Sequence, residues 1–139
     1  MVTHVLLIRH GQSEGNAAGR FGGHTDTPLS FRGRQQAERT ARALASEEFA
    51  AIYSSDLPRA VETAMPLVKL TGAQLITSDA FRERSVGVME GLTFEEAAAE
   101  HPEQSAVQRP DTGNRPSLLP VARGQGHAVR RSRAAPDLP

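Results

Sequence analysis

Arg9, His10 and Gly11 stand in a row behind the apolar run Val5–Ile8, and two further charged groups follow downstream, Arg59 and the triplet Arg82-Glu83-Arg84. An imidazole carries a nitrogen nucleophile near neutral pH. Arginines offer planar forks of N–H donors that match phosphate oxygens, and glycine lets backbone approach an anion closely. These residue types together suit one task, seating a phosphoryl group against His10 so that the imidazole can receive it. Each also has a plainer role. His10 could be a hydrogen-bonded residue at a strand end, Arg59 an exposed surface cation, Glu83 a salt-bridge partner of Arg82 or Arg84, and Asn16 a residue that closes a turn. His4, His24, His101 and His127 lack metal-ligand spacing and read as solvated or structural.

The elements that must position these groups can be read from periodicity. Val5–Ile8 is a short continuous apolar run that suits a strand buried on both faces of a parallel sheet. Ser30 caps a helix predicted to run to about Ser46, with Ala37, Ala41, Leu44 and Ala45 on one face. Phe49–Ser54 reads as a second strand. Asp56 is a candidate cap and Pro58 fits the first turn of a helix that stops near Gly72, which places Arg59 at that helix's start. Leu75–Thr77 is a third strand, leading into the loop 79–91, and Thr93-Phe94-Glu95-Glu96 is a capping box for another helix. The alternation of strand and helix points to an open α/β sheet, in which ligands bind beyond the carboxyl ends of the strands. His10, Arg59 and Glu83 all follow such ends.

Composition narrows the partners. The chain has 139 residues, enough for one domain, and 16 Lys plus Arg balance 16 Asp plus Glu. That balance gives no general reason to expect nucleic acid or an anionic membrane, so an anion must be bound locally. Without cysteine, thiolate nucleophiles and cysteine metal sites drop out. No Walker loop, paired-aspartate motif or acidic cluster for magnesium is present. The N-terminus lacks the pattern of a signal peptide, so a cytoplasmic protein is expected. Residues 101–139 differ in character, holding six of the nine prolines and six Arg against three acidic residues. This Pro/Arg-rich tail reads as mostly irregular, and a helix over Leu118–Arg131 is weakened by Pro120, Gly124 and Gly126. The expected division is residues 1–100 as the organised part and 101–139 as the tail.

Leu7-Ile8-Arg9-His10-Gly11-Gln12-Ser13-Glu14-Gly15-Asn16 resembles the signature of the histidine phosphatase superfamily, the phosphoglycerate mutase-like fold. Further blocks that resemble the family arrive in order: Arg20-Phe21-Gly22-Gly23 with Thr27-Pro28-Leu29-Ser30, then Tyr53–Leu57 with Arg59-Ala60 and Thr63-Ala64, then Glu83 with Gly87, Glu90 and Gly91. The resemblance covers about residues 3–100. It implies a three-layer, mostly parallel open sheet with helices on both faces. It implies His10 as nucleophile, Arg9 and Arg59 as clamps on nonbridging oxygens, and Asn16, Gly22 and Gly23 as phosphate or substrate contacts. Glu83 matches the family's proton donor, which protonates the leaving oxygen and later takes a proton from water. No metal or other cofactor is implied, and the substrate is a small phosphorylated molecule.

The family also uses a second histidine on a later apolar strand, followed by glycine, and no such segment occurs here; neither His101 nor His127 takes the role. The chain is thus expected to represent a family domain truncated or altered after about residue 100, with weak phosphate binding and slow turnover. An altered reading frame in a GC-rich gene would also suit 15 Arg against one Lys. Three functions follow. The first is a metal-independent phosphomonoester hydrolase. The second is a phosphoglycerate mutase, disfavoured because Phe81–Gly87 lacks the Trp and Asn usual around a mutase's acidic residue. The third is a non-catalytic phosphate-binding protein whose basic tail touches an acidic partner. The oligomeric state is left open.

Overall fold

The structure, a computed structural model, describes residues 3–105 and the backbone of 129–131. The first strand, β1, is Val5–Leu7, and its ladder partner is β4 (Val129–Arg131), parallel with Val5 opposite Val129. The sequence predicts a mostly irregular tail, with a weakened helix over Leu118–Arg131 as the alternative; 129–131 is strand instead, and residues 118–128 lie outside the described ones. The β-branched Val129 suits a pleated strand better than a helix already weakened upstream by proline and glycine.

A second correction concerns β1 itself. Val5, Leu7 and Ile8 are 46, 64 and 40% exposed, where burial on both faces was expected. The helices pack chiefly on one another and beside the other strand pair, leaving β1 uncovered.

Helix α2 (Phe31–Ala43) begins as expected, with Ser30 Oγ accepting from the Gly33 amide. Gly33, Ala37 and Ala41 recur at four-residue spacing and are buried, giving the helix a narrow, small-residue face. It ends at Ala43 rather than near Ser46 because the backbone leaves helical geometry at Leu44 (φ −109°, ψ 4°) and the amides beyond make tighter three-residue turns, Ala45 to the Arg42 carbonyl and Glu47 to the Leu44 carbonyl. Strand β2 (Ile52–Ser54) is shorter than predicted and pairs in parallel with β3 (Leu75–Thr77), Ile52 opposite Leu75. Between them runs α3 (Pro58–Thr71), with proline in its first turn and Gly72 as left-handed C-cap at φ 70°. Its N-cap position is Leu57, whose apolar side chain cannot cap, and the candidate Asp56 lies one residue further out, paired with Arg82.

Helices α2 and α3 lie against each other, and Leu29, Ala37, Ala41, Leu57 and Leu67 are buried, with Met89 and Ala97 from the later segments. Thr93 and Glu96 form the predicted capping box of α4 (Phe94–Glu100), and a short α5 (Pro102–Ser105) follows. Two short helices were not anticipated, α5 and α1 (Glu14–Ala17), the latter capped by Ser13.

The loop after β1 is pressed onto the first turn of α2. A Cβ on Gly11 would sit 2.5 Å from the Gly33 carbonyl oxygen, and a Cβ on Gly33 would overlap the Gln12 carbonyl. Only two facing glycines permit that approach. The Ser30 amide donates to the Gln12 carbonyl at 2.9 Å, and the Gln12 amide donates to Gln36 Oε1 at 2.9 Å. His10 is thereby tied to a helix rather than left at the end of an uncovered strand.

Candidate active site

His10 Nδ1 lies 2.7 Å from the Gly11 carbonyl oxygen. A carbonyl only accepts, so Nδ1 carries the proton and Nε2 keeps its lone pair, the tautomer a nucleophile needs. Burial lowers the imidazole pKa below the ordinary 6.5, since a desolvated ring resists taking charge; the Gly11 carbonyl opposes this shift. The positive charges of Arg59 and Arg9 lower it further, and the negative charge of Glu83 raises it. All three predicted charged partners thus act at His10, although they come from three separate segments.

Arg59 is 2% exposed. Its position in the first turn of α3 aims it at the loop 22–25, where Nη2 donates to the Gly23 carbonyl at 2.7 Å and Nη1 to the Thr25 carbonyl at 3.0 Å. Nη2 also stands 3.5 Å from Glu83 Oε2. Glu83 is therefore in an ion pair, but with Arg59 rather than with its neighbours Arg82 or Arg84. Arg82 is held by Asp56 through two bonds of 2.6 and 2.5 Å, which keeps the Asp56 carboxyl below its usual range.

Gly22 and Gly23 border this arginine. A Cβ on Gly22 would be 3.8 Å from Arg59 Nη2, while Gly23 has φ 51° and a Cβ there would strike the Glu90 carboxylate. Arg9 is exposed, at the end of the uncovered strand. Asn16 takes the turn-closing part: its Oδ1 accepts from Ser13 Oγ at 2.9 Å and from the Ser13 amide at 3.3 Å, completing the cap of α1.

Sequence reasoning named three residues without seeing that they hold the site. Thr63 accepts from the Gly11 amide at 3.0 Å and donates to the Arg59 carbonyl at 2.7 Å, so one hydroxyl joins the His10 loop to α3. Its spacing of four from Arg59 was the available signal, since threonine hydroxyls return to the carbonyl one helical turn back. Glu90 accepts from the His24 amide, Ser85 Oγ and the Val86 amide, which together hold its carboxyl below the usual range, the first contributing most. His24, read as solvated or structural, donates from Nε2 to the Glu83 carbonyl at 2.7 Å. Nothing local in the sequence announces a contact across 59 residues.

Among the described residues, no group of three or more His, Asp or Glu side chains could hold a metal ion, and no helix is long and apolar enough to cross a membrane.

Known proteins resemble this chain in sequence and in fold. The profile of the histidine phosphatase superfamily (branch 1) matches residues 5–135, a span longer than the residues that carry the motifs. Phosphoglycerate mutase-like protein 4 of Arabidopsis thaliana is 41% identical over 101 residues, covering 71% of this chain and 44% of that protein. The metal-independent phosphoserine phosphatase of Arabidopsis thaliana is 40% identical over 104 residues, covering 73% of this chain and 44% of that protein. The chain spans less than half the length of these relatives. Among solved structures, a mycobacterial glucosyl-3-phosphoglycerate phosphatase in complex with VO3 superposes with a TM-score of 0.63 at 36% identity, over 73% of this chain and 47% of that one. A profile match across nearly the whole chain, on a parallel α/β scaffold with the motif histidine and its charged partners gathered at one place, establishes that the chain belongs to the histidine phosphatase superfamily.

Proposed function

We propose that the domain is a metal-independent phosphomonoester hydrolase that works through a phosphohistidine on His10. The observation that carries this reading is the His10 ring itself: Nδ1 is occupied by the Gly11 carbonyl, and Nε2 is left as the free base within the fields of Arg59, Arg9 and Glu83. In the first step Nε2 bonds to phosphorus as the ester P–O bond breaks, and Glu83 gives its proton to the departing oxygen. In the second, water attacks the phosphohistidine, Glu83 takes a proton from that water, and the P–N bond returns its electrons to Nε2.

Arg59 and Arg9 stabilise charge on the nonbridging oxygens during both transfers. The backbone at Gly22 and Gly23 and the amide nitrogen of Asn16 complete the phosphate contacts. Relatives carry phosphatase and mutase names alike, one phosphatase being named metal-independent, and the preference for hydrolysis rests on Phe81–Gly87, which lacks the Trp and Asn usual around a mutase's acidic residue. The substrate is a small phosphorylated molecule.

The test is hydrolysis of an aryl phosphate by the full chain in excess chelator, beside H10A, with acid-stable and acid-labile protein-bound phosphate measured after rapid quenching. Slow turnover that needs His10 and leaves acid-labile phosphate on the protein is expected. Activity that survives in H10A, or that vanishes in chelator, overturns the reading. Isomerisation of phosphoglycerate exceeding hydrolysis would replace it with a mutase.

A further inference from the structure

Glu83 is the weakly held member of the group around His10. Its side chain is 64% exposed, and its ion pair with Arg59 is 3.5 Å long. A long ion pair whose carboxylate side is open to solvent does little to fix that side chain against its own rotamer entropy. The backbone that carries it, between the short 3₁₀ turns Asp79–Phe81 and Gly87–Met89, has no regular structure. The neighbours on both sides are anchored: Arg82 to Asp56, and Ser85 and Val86 to the Glu90 carboxylate. At Glu83 the tie is supplied by His24.

That tie is part of a closed ring. His24 Nε2 donates to the Glu83 carbonyl at 2.7 Å, and the His24 amide donates to Glu90 Oε1 at 3.0 Å. The same Oε1 receives Ser85 Oγ at 2.8 Å and the Val86 amide at 3.2 Å, which returns the path to the Glu83 segment. The residue before His24 is also fixed, because the Gly23 carbonyl receives Arg59 Nη2. The buried arginine therefore sets the 23–24 loop, and the loop sets Glu83.

We propose that His24 is a positioning residue for the acid–base group: its Nε2–H holds the Glu83 backbone so that the Glu83 carboxyl stays beside Arg59 and within reach of His10. The role rests on the phosphatase reading for its catalytic meaning, while the juxtaposition it describes does not. Without the His24 bond the Glu83 backbone is held only through Arg82 and Ser85 on either side of it, and the carboxyl spends less time near the imidazole. A carboxyl that protonates a leaving oxygen matters most when that oxygen leaves badly.

The experiment compares the full chain with H24A, H24L and H24Q, using E83Q as reference. His24 is exposed, so the fold is expected to survive. H24L fills space without a donor, and H24Q restores an N–H at similar reach. The first readout is turnover of an alkyl phosphate relative to p-nitrophenyl phosphate. H24A and H24L should lose about 10-fold or more on the alkyl ester and far less on the aryl ester, with KM nearly unchanged and H24Q recovering most of the loss. The second readout needs no turnover: the His10 ring protons are titrated by NMR, assigned through their absence in H10A. Removing the Glu83 charge by E83Q should move the His10 midpoint to lower pH, and H24A should move it the same way while H24Q does not. If the unsubstituted chain turns over neither ester, the hydrolase reading fails and the titration alone decides. An H24A chain that loses both esters equally, or whose His10 titrates like the unsubstituted chain, overturns the proposal.

Discussion

Arg59 and Glu83 act on the same imidazole, yet they are held in opposite ways. Arg59 sits in the first turn of a fourteen-residue helix, 2% exposed, with two of its N–H groups on the carbonyls of Gly23 and Thr25. Glu83 sits on an irregular segment, largely exposed, and depends on one histidine and one arginine for its place. The loops joined to Arg59 are fixed as well: Gly23, whose carbonyl it holds, takes φ 51°, and Gly11, linked to α3 through Thr63, lies too close to Gly33 for either to carry a Cβ. Around Glu83 there is room. The difference follows the chemistry proposed for each. A group that holds a phosphate through both transfers gains from rigid preorganisation, because nothing need reorganise as charge develops. A group that gives and takes a proton must reach different leaving oxygens, and an open loop lets it do so.

The largest effect is expected where the rigid side meets the chemistry. H10A should reduce phosphate-ester turnover by on the order of 10⁵-fold or more, the scale seen when a nucleophile is removed, and initial rates in chelator measure it. R59A should lower kcat/KM by roughly 100- to 1000-fold through loss of a positioned donor. Because Arg59 is buried, the same variant leaves the Gly23 and Thr25 carbonyls short of donors and should cost about 1 to 3 kcal/mol in urea unfolding. If R59A lost activity without stability, the picture of a packed arginine bracket would be wrong. G11A tests packing alone. Its Cβ would sit 2.5 Å from the Gly33 carbonyl, so the loop must shift, costing about 1 to 3 kcal/mol in the same measurement.

The pH dependence probes both sides at once. Burial and the two arginines lower the His10 pKa, so the ring stays neutral, and able to attack, at pH values below the ordinary 6.5. The acid limb of kcat/KM should therefore fall below 6.5. In R59Q, with one positive charge removed, it should move up toward that value. A limb above 6.5 in the unsubstituted chain would mean that the Gly11 carbonyl, with the Glu83 carboxylate, outweighs the combined lowering effects. The smallest effect belongs to D56N, which weakens only the exposed clamp on Arg82: unfolding midpoint and aryl-ester turnover should barely change. A large loss would make Asp56, rather than His24, the anchor of the flexible arm.

Much of this was legible along the chain because its causes are local. The Ser30 cap, the Thr93 and Glu96 capping box, the proline start and glycine end of α3, and β3 at Leu75–Thr77 all depend on residues within a turn or two. The contact that fixes His10 Nδ1 is equally local, since it is made by the carbonyl of the next residue. The less accurate expectations involve longer reach. Asp56 looked like a cap, but it lies one residue outside the N-cap position and pairs with a guanidinium 26 residues away. Glu83 looked able to pair with an adjacent arginine, but the fold brings a buried one from α3. Burial of β1 was inferred from its apolar letters, and burial depends on what covers a strand rather than on the strand.

The order of residues by itself determined which groups could do the chemistry and where along the elements they stand: a histidine and two arginines after strand ends or at a helix start, with glycines where backbone must come close. Tertiary structure decided which partner each charge takes, that Thr63 couples the His10 loop to Arg59, and that His24 reaches Glu83. Capping and turn chemistry act over a few residues, so a local pattern carries them. A hydrogen bond between distant loops exists only once packing has set two backbones at bonding distance, and no short stretch of sequence contains that distance.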